Sequence, residues 1–77
     1  MTTAEENARM TIEVNGESRK IEDGQTVAAL LKDLDIRADR VAVELNLEIL
    51  NRSDFETRGL REGDRLEILS FIGGGAE

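Results

Sequence analysis

The chain is 77 residues long, with ten Lys and Arg against seventeen Asp and Glu, a net charge of −7, and neither Cys nor His. That length allows one small domain. The missing residue types exclude a thiol nucleophile, an imidazole base, a zinc finger and a disulfide framework.

The first nine residues, MTTAEENAR, lack the basic and apolar blocks of a signal peptide and are expected to form a disordered N-terminal extension. Met10, Ile12 and Val14 alternate with Thr11 and Glu13, the period of a half-buried strand, and Asn15-Gly16 supplies two residues that tolerate positive φ, as a type I′ hairpin turn requires. A second strand returns from Glu17 to Ile21 and is broken by Asp23-Gly24. Thr26 is placed to cap a helix, because its hydroxyl oxygen can accept from an orphan N–H of the first turn. Val27, Leu30, Leu31 and Leu34 fall at helical spacing, so one apolar stripe lies across the inner face of the hairpin, and the helix ends near Asp35.

Val41, Val43 and Leu45 alternate as a third strand, and Ile49 and Leu50 form a short fourth. Asn51 to Arg58 is polar apart from Phe55, which reads as a core plug beneath a loop. Leu60 leads to a turn at Glu62-Gly63-Asp64. The last strand, Arg65 to Ile72, places Leu66 and Ile68 on one face and Glu67, Leu69 and Phe71 on the other, an unusually apolar second face. The expected core is the helical stripe against Val41, Val43, Leu66 and Ile68.

The order strand, strand, helix, strand, short strand, strand, with a long connection that lets the last strand lie centrally and parallel to the first, is a β-grasp pattern. The expected class is α+β: a ubiquitin-like mixed sheet packed on one main helix over residues 10–72, with a flexible glycine tail at 73–77. A fold of this size buries about 60 to 65% of its unfolded surface, so a deep catalytic pocket is not expected and the chain is read as no enzyme. With two Lys and an acidic excess it lacks the clustered cations of a nucleic-acid binder, and no apolar run approaches the roughly 20 residues of a membrane span. A cytoplasmic protein with a basic protein partner is the expectation.

Gly73-Gly74-Gly75 follow the apolar end of the last strand. On their own they suit a frayed terminus; on a β-grasp they suit an arm that enters a narrow partner active site, where a Cβ would meet the walls. In the segments MTIEVNGE, DGQTVAALLKDL, VAVELN, LREGDRLEIL and SFIGGG the chain resembles the ThiS family, ubiquitin-like sulfur carriers of thiamine biosynthesis, over residues 10–75. MoaD-type carriers share the fold and the tail.

The resemblance implies a carrier with Gly75 as the acyl-bearing residue and Gly73 and Gly74 as its arm. No cofactor would be bound. An adenylyltransferase resembling ThiF and MoeB would use ATP to adenylate the Gly75 carboxylate, and a donor of the cysteine desulfurase type would convert the adenylate to a thiocarboxylate. A thiazole synthase would be the acceptor, with Leu69, Phe71 and Ile72 flanking the docking surface. Because Ala76-Glu77 follow Gly75, its carbonyl is an amide until a protease removes them. A molybdopterin-synthase-like small subunit, a carrier for another sulfur-containing metabolite, and an interaction module without acyl chemistry stay open as alternatives.

Overall fold

The computed structural model describes residues 9–70, and the fold is that of these residues. Strands β1 (Arg9–Val14) and β2 (Glu17–Glu22) form the expected hairpin, followed by helix α1 (Val27–Asp33), β3 (Val41–Leu45), β4 (Glu48–Leu50) and β5 (Arg65–Ser70). Short 3-10 turns occupy Ala38–Arg40 and Arg52–Asp54. The sheet order is β2-β1-β5-β3-β4. β5 lies centrally, parallel to β1 and antiparallel to β3, so the β-grasp topology read from the element order is the one observed.

Residues 15 and 16 turn the first hairpin with φ of 51° and 86°. Both values lie in the left-handed region that Asn and Gly enter at least cost. Thr26 caps α1: its Oγ1 accepts from the Ala29 N–H at 3.1 Å. The loop that follows β4 completes the cap, because Val27 N–H donates to the Arg58 carbonyl and Ala28 N–H to the Phe55 carbonyl. The first four N–H groups of a helix lack intrahelical partners, so this loop is held against α1 by the donors it satisfies. Phe55, 3% exposed, is the expected plug.

The helix stops at Asp33, two residues before the expected end, and Asp35 sits at φ 62° where the chain turns away. The core comprises Met10, Ile12, Ile21, Val27, Leu30, Leu31, Val41, Val43, Leu45, Phe55, Leu60 and Leu66. Leu34 and Ile68, both expected in it, are only partly buried and pack at its margin, because the short helix ends before it covers that end of the sheet. Among the described residues no helix is long and apolar enough to cross a membrane.

Candidate functional site

The face of the sheet turned away from α1 carries the residues that sequence alternation leaves outside. Residues directly opposite on paired strands share a face. Leu69 on β5, 51% exposed, stands opposite Ala42 on β3; Glu67 stands opposite Glu44; and Glu44 in turn faces Ile49 on β4, which is 75% exposed. The result is an apolar triad of Leu69, Ala42 and Ile49 around two carboxylates. Among the described residues neither Glu44 nor Glu67 has an ion pair; the two that occur are Arg37–Asp39 and Arg65–Glu13.

Leu69 was legible from strand alternation. Ala42 and Ile49 were not singled out, since only the β5-β3-β4 adjacency brings them beside it. The other predicted site residues, Phe71, Ile72, Gly73, Gly74 and Gly75, lie outside the described residues, as do Ala76 and Glu77.

The segment leading into β5 is tied down by its polar residues. Asp64 Oδ2 accepts from Arg61 N–H at 2.8 Å, while Asp64 Oδ1 accepts from the Asn46 side-chain amide at 3.0 Å. Asn46 Oδ1 accepts from Arg65 N–H, and Glu62 Oε1 accepts from Thr11 N–H, each at 3.0 Å. The Arg-Glu-Gly-Asp turn therefore does more than carry solvated charge: its carboxylates join β1, the β3–β4 turn and the start of β5. At the opposite end of β5, Asn15 bonds Ile68 through both side-chain atoms, accepting from its N–H at 2.7 Å and donating to its carbonyl at 3.4 Å.

A groove of about 740 Å³ opens beside that end, lined among others by Val14, Asn15, Leu34, Ile36, Arg40 and Ser70. It lies where the short helix leaves the sheet margin uncovered. Nearby, Arg37 holds the Asp39 carboxyl below its ordinary pKa of 3.8 through a side-chain hydrogen bond, although both groups are exposed. Among the described residues no group of three or more Asp or Glu is placed to hold a metal ion.

The chain matches the ThiS family model over residues 8–75. It is 44% identical over 68 residues to the thiazole synthase of Paramagnetospirillum magneticum, covering 88% of this chain and 21% of that one. The chain thus spans about a fifth of the length of that relative. The sulfur carrier protein ThiS of Thermus thermophilus is 36% identical over 62 residues, covering 80% of this chain and 95% of the carrier. A crystal structure of the thiamine biosynthesis protein ThiS from Geobacter metallireducens superimposes with a TM-score of 0.72 at 38% identity, covering 86% of this chain and all of that one. With most of its length matched by the family model and by full-length ThiS proteins, the chain belongs to the ThiS family, whose β-grasp fold it shares.

Proposed function

We propose that the protein carries sulfur for thiazole formation in thiamine biosynthesis, as a thiocarboxylate on Gly75. The observation that supports this reading is the family match, which runs through residue 75 and so takes in the whole glycine run after β5. A carboxylate is a poor electrophile. Attack of a Gly75 carboxylate oxygen on the α-phosphorus of ATP, with pyrophosphate leaving, makes an acyl-adenylate whose AMP is a good leaving group. Hydrosulfide released by a donor protein then adds to the acyl carbon and expels AMP, and loss of its proton leaves the thiocarboxylate. The sulfur is bonded to the chain end, so a protein without Cys can carry it.

The activating enzyme supplies the ATP site, and the carrier supplies the tail and a docking face. The Leu69, Ala42 and Ile49 patch with Glu44 and Glu67 suits a partner that presents apolar groups flanked by positive charge. Gly75 is amide-bonded to Ala76, so activation requires prior cleavage after Gly75. The relatives named thiazole synthase, which contain a matching segment within a longer chain, favour a thiazole synthase as the acceptor.

Intact mass of the protein purified from its own cells under sulfur demand tests the proposal. The expected result is a species ending at Gly75, with a fraction heavier by the difference between sulfur and oxygen. A population that retains Ala76-Glu77 throughout would overturn it.

A further inference from the structure

The last backbone pair between β1 and β5 joins Val14 to Leu66, with Asn15 N–H donating to the Leu66 carbonyl at 2.8 Å. Beyond that rung β1 has turned into its hairpin, yet β5 continues to Ser70 and remains paired on its other side with β3 up to Val41. Among the described residues no strand faces the β1 side of β5 at Ile68. The Asn15 amide takes the place of one, because a carboxamide has both an acceptor and a donor and can reproduce the two bonds of a strand residue.

The hairpin turn does not require these bonds. At φ 51° the turn position accepts Gly as readily as Asn, and Gly16 beside it has φ 86°. The amide is therefore a separate device, placed two residues before the end of β5 and seven before Gly75.

We propose that Asn15 is a positioning residue for the carrier reaction: it clamps β5 at Ile68, two residues before the end of the strand from which the chain runs on to Gly75. The inference rests on the thiocarboxylate reading of Gly75. Docking through the sheet face and insertion of the tail are then separate events. The sheet face sets how tightly the carrier binds, and the clamp sets what fraction of docked carriers place Gly75 at the ATP. Loosening the root of an arm spreads its end over more directions, which lowers the population in reactive geometry without weakening docking.

The test uses the chain ending at Gly75, which keeps every described residue, as substrate for the ThiS-adenylating enzyme, with pyrophosphate release as the readout. Asn15→Gly preserves the turn and removes both bonds. The expected result is a kcat about three- to tenfold lower with KM changed by less than about twofold, an orientation effect. Asn15→Asp keeps an acceptor for the Ile68 N–H and is expected to fall between wild type and Asn15→Gly. Hydrogen exchange of the Ile68 amide should accelerate in Asn15→Gly.

Partial unfolding would give a different pattern, a raised apparent KM at unchanged kcat, because it only lowers the concentration of competent carrier. That pattern, an unchanged kcat, or unchanged exchange at Ile68 would overturn the clamp while leaving the carrier reading intact. A wild-type chain ending at Gly75 that is not adenylated would overturn both.

Discussion

Glu67 on β5 stands directly opposite Glu44 on β3, on the face of the sheet turned away from the helix. Like charges in that position destabilise a sheet, and directly opposed pairs contribute on the order of 0.2–1 kcal/mol. The pair lies between Leu69 and Ile49, both more than half exposed. An approaching cation would relieve the repulsion. Glu67→Gln is therefore expected to raise stability within that range in urea unfolding. It should also slow association with the activating enzyme and flatten its salt dependence, as measured by stopped-flow binding at several salt concentrations.

Leu30→Ala and Gly75→Ala should separate folding from chemistry. Leu30 is 1% exposed beneath the sheet, so its truncation is expected to cost about 2–5 kcal/mol, enough to unfold much of so small a domain. Gly75 follows Ser70, the last residue of β5, by five positions in the sequence. Its substitution should leave the thermal midpoint unchanged and block adenylation. Calorimetry beside a pyrophosphate-release assay reads both effects.

Leu47 occupies a left-handed turn position, φ 73°, and is 86% exposed. A left-handed conformation costs a residue with a Cβ about 1–2 kcal/mol, and no burial of Leu47 offsets it here. Leu47→Gly, preceded by Asn46 at φ 54°, would give the β3–β4 hairpin the residue pair its turn geometry favours. The greater freedom of Gly in the unfolded chain takes back part of the gain, so a net stabilisation of about 0.5–1 kcal/mol is expected from denaturant titration.

The response to pH should be flat near neutrality, since the chain has no His. Arg37 depresses the folded-state pKa of Asp39 below 3.8. A depressed carboxyl contributes stability that is present above its unfolded pKa and is lost as pH falls through the folded value. The contribution is small because the pair is exposed. Asp39→Asn should leave stability near pH 7 slightly lower and make the acid limb below about pH 4 shallower, as followed by circular dichroism.

Local patterns carried most of the fold. Alternation at Met10, Ile12 and Val14, the Asn15-Gly16 turn, the Thr26 cap and the helical stripe from Val27 to Leu31 each depend on neighbours a few residues apart, and each occurs as read. Even the central place of β5 followed from the element order, because a long connection is what a parallel return beside β1 needs. Phe55 was legible as a plug because it is the lone apolar residue in a polar stretch.

What the local patterns could not carry were relations between distant segments. The opposition of Glu44 and Glu67, the gathering of Ala42, Ile49 and Leu69, and the Asn15 bonds to Ile68 each need a strand register, and a shift of one residue would send every one of those side chains to the other face. The position of Leu34 and Ile68 at the core margin was likewise decided by how far α1 reaches over the sheet, a length set by where its C-terminus meets the chain turning away at Asp35. By itself the sequence determined the elements, their order and the glycine run, because these rest on periodicity and on residues suited to particular backbone angles. The tertiary structure alone decided which side chains share a surface and which group holds the end of β5, because those depend on hydrogen-bonded pairings between residues up to 53 positions apart.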